Sequence, residues 1–375
     1  MKGDGVKPKV LYVCSEDWYF RNHRLDHAKA LIESGFEVHI ATRIGDDAEE
    51  LRSAGCITHS LNLGRGLGNP LHLVREVIQL QRTISKVKPE IVHALTLRIS
   101  GLATPLAAFN FRTRFVMAIN GLGISTVEQG RLLKVFGFLL RLISRSKRVI
   151  VLFQNTYDPA SLKMKPLSYS IIPGVGVNLK RFISHELPPA PPWRFVFLGR
   201  TVRSKGLMDL VAAANRPEIR AAQIEFVLYC TTDLSSPGSL TGAEIHTLST
   251  TEGITILPHT NEPQVALAQS HAAILTSHGG EGVSKFLMES MAVGRPVIAT
   301  DTPGSDILID PGITGWSYPP GDVDQLVSCL INAVSIGKDS LSNVGLAARN
   351  RVENRFDVRI IGAQIVELQR ELLSR

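Results

Sequence analysis

Leu187-Pro-Pro-Ala-Pro-Pro192 places four prolines in six residues. Such a run is stiff and extended. An alternation of strands and helices stops before it and starts again behind it. The reading is therefore an α/β chain of two doubly wound, Rossmann-like domains: residues 1–187, a proline-rich linker at 188–192, and residues 193–357. A further helix at about 358–375 follows them.

The alternation is plain on both sides. Lys9-Val-Leu-Tyr-Val13 reads as a buried strand, Ser15 to His23 as a polar loop, and Leu25 to Ser34 as a helix stopped by Gly35. Phe36 to Ala41 closes this first β-α-β unit. Strands follow at Glu90–Ala94, Arg114–Ile119, Arg148–Phe153 and Ser170–Ile172, with helices at Leu71–Lys86, Ile99–Phe109 and Arg131–Ser146. Past the prolines, strands read at Arg194–Leu198, Glu225–Tyr229, Ile254–Leu257, Ala272–Leu275 and Pro296–Ala299. Repeated alternation implies parallel sheets covered on both faces. Ligands then bind beyond the carboxyl ends of the strands, and two facing domains make the cleft between them the expected site.

Bulk properties bound the answer. The 375 residues are 44% hydrophobic and 20% charged, which is an ordinary globular composition. A net charge of +7 suits an anionic partner without choosing among phosphorylated ligands, acidic lipid and nucleic acid. Cys14, Cys56, Cys230 and Cys329 form no C-x-x-C pair and read as reduced, buried thiols of a cytoplasmic protein. The apolar run Val10–Val13 is too short for a signal-peptide core, and no run suits a transmembrane helix.

Gly279-Gly-Glu-Gly-Val-Ser284 lies between a strand and the helical run Lys285–Val293. Ser284 is placed to cap that helix, and glycines let a ligand approach the backbone. Free N–H groups at the helix start favour phosphate or sugar oxygens. Glu281 and Glu289 could each grip a hydroxyl of a bound sugar. By residue type alone, an exposed Glu281 and a Glu289 in a surface ion pair are an equal reading. A second stretch, Leu198-Gly-Arg-Thr-Val-Arg-Ser-Lys-Gly-Leu207, holds Arg200, Arg203 and Lys205 between a strand and a helix. Cations there could clamp a diphosphate and stabilise it as a leaving group; a solvated basic loop is the plainer alternative.

The text from Glu281 to Thr300 resembles the E-x7-E signature of retaining glycosyltransferase family 4, of the GT-B fold. Pro303-Gly304, Gly312-Ile-Thr-Gly315 and Pro319-Pro-Gly-Asp322 extend the likeness, and Gly199 to Gly206 resembles the family's G-R-x(4)-K-G segment. The resemblance implies two Rossmann-like domains, with the nucleotide sugar held mainly by the second. It implies that Glu281 contacts the transferred sugar, Glu289 the ribose, and Arg200 and Lys205 the phosphates, with Glu281, Arg200 and Lys205 as the catalytic set. Gly280, Gly282, Val283 and Ser284 complete the donor site. Arg203 is outside the pattern, and Ser284 stands where proline is frequent. It also implies that the last helix crosses back onto the first domain.

The first half carries weaker signals. Cys14 to Arg24, with Tyr19, Phe20, Asn22, His23 and Arg24, resembles the family's first loop. His93 ends a strand, where a histidine is more often structural than catalytic. Asn120-Gly-Leu-Gly123 follows another strand, and many family members have histidine at the position of Asn120. Asparagine cannot accept a proton at neutral pH, which leaves any catalytic base in doubt; the leaving phosphate can itself take the acceptor's proton. Asn120, Gly121, Gly123, His93 and His23 are the candidate acceptor-side residues. With Phe153-Gln-Asn155 and Pro173 to Asn178, this form resembles the subgroup that builds bacterial surface glycans on a lipid carrier.

On a helix from 131 to 148, Arg131, Lys134, Arg141, Arg145 and Arg148 fall on one stripe beside apolar residues. That suits contact with an anionic membrane; a core-facing helix with a solvated basic face suits it equally. No histidine pair joined to acids in metal-site spacing is seen, so no metal or other cofactor is expected. The expectation is transfer of a hexose or N-acetylhexosamine from a UDP-sugar to a polyprenyl-diphosphate-linked saccharide, at the inner face of the cytoplasmic membrane and without nucleic acid. A non-catalytic nucleotide-sugar binder and a nucleotide-sugar epimerase are the alternatives. A dehydrogenase is poorly supported, since no G-x-G-x-x-G follows the first strand.

Overall fold

The computed structural model describes residues 7–64, 70–122, 130–232, 238–279 and 282–375. The chain divides into two compact units, Met1–Val175 with Val358–Arg375, and Gly176–Asp357.

The described part of the first unit runs β1 (Lys9–Glu16), α1 (Asp17–Glu33), β2 (Glu37–Arg43), α2 (Ala48–Ser53), β3 (Ile57–Ser60), α3 (Pro70–Val87), β4 (Ile91–Leu95), α4 (Leu97–Phe109), β5 (Arg114–Ile119), α5 (Gly130–Ile143), β6 (Val149–Phe153), α6 (Tyr157–Ser161) and β7 (Tyr169–Ile171). Its parallel sheet has the order β3-β2-β1-β4-β5-β6-β7. Side chains alternate across it. Val10, Tyr12 and Cys14 enter one core layer, and Leu11 and Val13 enter the other. The chain's last helix, Val358–Ser374, lies against α1 and gives Ile361, Ile365, Leu368 and Leu372 to the first layer.

The second unit runs β8 (Trp193–Arg200), α7 (Leu207–Ala214), α8 (Pro217–Ala221), β9 (Ile224–Thr231), α9 (Gly242–Thr250), β10 (Ile254–Pro258), α10 (Pro263–Ala268), β11 (Ala272–Leu275), α11 (Lys285–Ala292), β12 (Val297–Thr300), β13 (Gly315–Tyr318), α12 (Val323–Ser335) and α13 (Gly337–Arg355). Val358–Ser374 is then α14. The second parallel sheet has the order β10-β9-β8-β11-β12-β13. Strand order reverses between β1 and β4 in one unit and between β8 and β11 in the other, which makes those edges the natural ligand positions of doubly wound sheets.

The division between units falls at Val175, ahead of the proline run on which the sequence reading ends the first domain. Residues 176–192 are bonded along the second unit. Val177 N–H donates to Phe356 O at 2.8 Å, and Arg349 holds Phe182 O at 2.6 Å. Arg295, fully buried, donates to His185 O, Glu186 O, Leu267 O, Ala268 O and Val293 O at 2.6–3.3 Å. His271 donates to Pro188 O at 3.2 Å.

Two other expectations change. The polar stretch Ser15–His23 is not a loop: helix α1 starts at Asp17, whose carboxylate accepts from Trp18 N–H and Gly45 N–H. The basic helix ends at Ile143, not at 146–148. Ser144 turns its hydroxyl back to Arg141 O, and Ser146 N–H closes a tight turn on Ile143 O. Arg148 then lies outside the helix, bonded to Asn110 O and over the Phe111 ring.

Buried histidines make the first unit acid-sensitive. His27 donates to Val175 O at 2.8 Å, and burial followed by the charge of Arg24 lowers its pKa to about 3. His93, stacked on Tyr12 and bonded to Gln369, is lowered by the same causes. The unfolded chain therefore binds protons near 6.5 that the folded chain refuses. Their stabilisation is full above that value and is lost as pH falls toward 3. Urea unfolding between pH 7 and 4 should show stability falling with pH, and His27→Gln should flatten that slope; a parallel slope in the variant would refute this source.

Candidate active site

At the carboxyl edge of the second sheet, close backbone approaches set the loops. Gly206, in the left-handed region (φ +62°), ends the turn after β8, and a Cβ there would lie 2.0 Å from Thr276 O. The Thr276 hydroxyl donates to Lys205 O at 2.7 Å, and His278 N–H to Ser204 O at 2.9 Å. Gly304 (φ +96°) lies so close to Gly282 O that a Cβ would stand 1.9 Å away. The turns after β8, β11 and β12 are thus held together by close backbone approaches at two glycines and by short hydroxyl bonds.

This brings several sequence candidates to one edge. Arg200, at the end of β8, is exposed, and its side chain has no partner among the described residues. Lys205 is half-buried beside Gly206. Arg203 is different: it makes a two-point pair with Glu244, 2.8 Å for the Nη2–Oε2 contact. That pair holds the Glu244 carboxyl below its ordinary range, after the larger effect of its bonds to Thr241. Ser284 caps α11, its hydroxyl accepting from Leu287 N–H at 3.4 Å. Val283 is buried and Gly282 half-buried. Glu289 is buried on α11, with Lys285 3.2 Å from Oε1. It does pair with a lysine, as the plainer reading has it, but below the surface. Gly280 and Glu281 lie outside the described residues. Among the described residues no cluster of three or more His, Cys, Asp or Glu is placed to hold a metal.

The sequence reading did not single out His278 or Asp209. His278 Nε2 meets Asp209 Oδ2 at 2.7 Å, which ties the β11 loop to the first turn of α7. A histidine before Gly279 and an aspartate three residues past Gly206 were the available signals, but nothing in their spacing joins them.

In the first unit, Asn120 ends a bonded cluster. Its Oδ1 accepts from Arg24 at 2.7 Å and from Gln154 at 3.3 Å, and its Nδ2 donates to the Tyr19 hydroxyl at 2.6 Å. Tyr19 lies against His23, ring centres 4.7 Å apart. Gly121 follows Asn120 with φ +128°; Gly123 lies outside the described residues. His93 is not with them on the surface: it is buried in β4, in contact with Tyr12 and Gln369. Burial and those contacts give it a structural environment.

Residues 192–335 match the family model for glycosyl transferases group 1, and residues 9–155 match that for glycosyl transferase 4-like domains. The chain belongs to the group 1, family 4-like glycosyltransferases. The two matched segments cover β1–β6 of the first sheet and all of the second, and the fold is GT-B. The chain is similar to a putative colanic acid biosynthesis glycosyltransferase, WcaL, of Salmonella typhimurium, at 26% identity over 52% of this chain and 49% of that protein. It therefore spans about half the length of such curated relatives. Its fold is similar to sucrose-phosphate synthase from Thermosynechococcus elongatus (TM-score 0.80, 20% identity, 98% and 100% of the two chains). It is also similar to Anabaena HepE, solved with UDP and glucose (TM-score 0.73, 17% identity, 97% and 99%).

Family membership leaves the loop packing as the feature most open to direct test. Gly206→Ala would put a Cβ into Thr276 O and force a left-handed backbone on alanine. It should cost about 2 kcal/mol or more in denaturant unfolding of the second unit. A variant as stable as wild type would show that the turn is not pinned to β11.

Proposed function

We propose that this chain is a retaining glycosyltransferase. It moves a hexose or N-acetylhexosamine from a UDP-sugar to a polyprenyl-diphosphate-linked saccharide in surface polysaccharide biosynthesis. The observation that carries the reading is the division of labour among three cations on one turn. Arg203 is bound to Glu244, while Arg200, at the strand end, has no side-chain partner among the described residues; Lys205 lies on the same turn. Two cations at the carboxyl edge of a doubly wound sheet suit a diphosphate. They stabilise it most as the sugar bond breaks and negative charge grows on the leaving oxygen.

The remaining roles follow the family pattern. Glu281 contacts the transferred sugar. Gly282, Val283 and Ser284 present backbone N–H groups to the donor. Glu289, 3.2 Å from Lys285, accepts from the ribose. Asn120 supplies no base. It is a fixed amide, and the departing phosphate takes the acceptor's proton on the face from which the bond broke. No metal is needed where arginine and lysine carry the charge. UDP as carrier is supported by HepE having been solved with UDP and glucose, and polysaccharide synthesis by the similarity to WcaL, a putative colanic acid biosynthesis glycosyltransferase. The protein acts at the inner face of the cytoplasmic membrane, with residues 131–148 toward anionic lipid; no described helix is long and apolar enough to cross a membrane.

Transfer from labelled UDP-sugars to lipid-linked acceptor tests the site. Arg200→Ala and Lys205→Ala should each lower turnover about 100-fold or more, whereas Arg203→Ala should stay within a few-fold of wild type. Equal losses in all three, or wild-type turnover in the first two, would defeat the assignment. Turnover should also persist in a chelator; abolition restored by a divalent ion would overturn the metal-free mechanism. UDP binding with no transfer to any acceptor would identify a non-catalytic binder, and an isomerised sugar without acceptor would identify an epimerase.

A further inference from the structure

A cationic pocket lies on the first unit, away from the Asn120 cluster. Residues 131–165 contain eight Lys or Arg. Between residues 129 and 185 the sole carboxylate is Asp158. It is buried, and that burial pushes it up to about 6, against bonds from Asn155 and Leu122 N–H. Nothing acidic in this stretch reaches the surface to neutralise the bases.

The pocket has a volume of about 170 Å³. Arg141 and Arg145 come from the end of α5 and the turn behind it; Lys163 and Lys165 come from the loop after α6. Phe138, Leu142, Ser144 and Ser168 complete the wall. Arg141 donates to Leu162 O at 2.6 Å, which fixes the loop against α5. The side chains of Arg145, Lys163 and Lys165 have no partner among the described residues. Three unneutralised cations around one concavity repel each other, and a bound anion relieves that repulsion.

The rim is apolar. Phe138 is 58% exposed and Leu142 49%; Leu167, 96% exposed, lies in sequence between Lys165 and Ser168, which both line the pocket. Single exposed apolar residues need no explanation, but three around a cationic pocket do. A soluble phosphate needs no apolar collar, and an apolar protein surface needs no cluster of cations. The boundary between headgroups and acyl chains supplies both complements at once.

We propose that this pocket binds the phosphate of an anionic phospholipid headgroup, with Phe138, Leu142 and Leu167 entering the acyl boundary. The inference rests on, and deepens, the reading of this segment as membrane-facing. It adds the loop of Lys163, Lys165 and Leu167, which lies outside residues 131–148.

Vesicle co-sedimentation without nucleotide sugar tests it. Wild type should bind vesicles of phosphatidylcholine with about 30% phosphatidylglycerol, and bind pure phosphatidylcholine at least tenfold more weakly. About 0.5 M NaCl should remove most of the binding. Arg145→Glu with Lys165→Glu should lower partitioning at least tenfold. Phe138→Ser with Leu167→Ser should weaken what binding survives the salt. Circular dichroism and the urea midpoint check that each variant is folded. Equal binding to both vesicle types, or undiminished binding by the folded charge-reversal variant, would overturn the proposal. So would inorganic phosphate bound at Arg145 and Lys165, seen by NMR, with no vesicle binding. Calorimetry of wild type with UDP, run separately, reports the donor site, so failure here and failure of the transfer reading are distinguishable.

Discussion

The second unit is organised around a charge that has no carboxylate. Arg295 is the largest fully buried side chain among the described residues, and its guanidinium donates to five backbone carbonyls. Leu267 and Ala268 end α10, Val293 follows the end of α11, and His185 and Glu186 belong to the segment before the prolines. Carbonyls at helix ends carry partial negative charge and lack intrahelical donors. The cation meets that need at two helices together. Burial lowers its pKa to about 10, so it remains charged at neutral pH. An apolar side chain here would leave the same carbonyls buried and unmet, a cost beyond that of a cavity.

That anchor fixes one end of α11, and the other end faces the candidate site. Ser284 caps the helix where the β11 turn enters it, and Glu289 lies between the two ends. The turns around it are held by contacts too close for any Cβ, at Gly206 and Gly304. A site built this way is positioned by backbone, and its ligand-facing side chains need not also serve as struts. Arg203 shows the contrast: the two-point pair with Glu244 engages it, while Arg200 has no side-chain partner among the described residues.

Much of this was legible in sequence because it depends on short-range pattern. Apolar runs bounded by glycine and proline gave most of the strands of both sheets. Three features were not legible, each for a physical reason. Ser15–His23 is too polar to read as helix, yet Asp17 is held by Gly45 N–H, a partner distant in sequence. β3 is a half-exposed edge strand without an apolar run, and β13 holds one partly exposed tryptophan between glycine and serine. The first unit's boundary needs bonds from Arg295, Arg349 and Phe356 that no local composition reveals. At the candidate site, Arg200, Lys205, Ser284 and Glu289 were found by spacing. The cluster that fixes Asn120 joins residues from three separate parts of the chain. His278 and Asp209 likewise meet only through tertiary structure.

The return of α14 to the first unit has a consequence for how the chain is made. The second unit is one continuous segment, and all of it precedes Val358. The first unit is missing Ile361, Ile365, Leu368 and Leu372 from its core layer, and the Gln369 bond to buried His93, until the last helix arrives. During synthesis from the N-terminus, the later-encoded unit can therefore close first. The earlier-encoded one must wait with an apolar face of β1, β4 and α1 uncovered. That interval leaves the chain open to aggregation and to chaperone binding, and its length is set by the time the ribosome takes to translate the whole second unit.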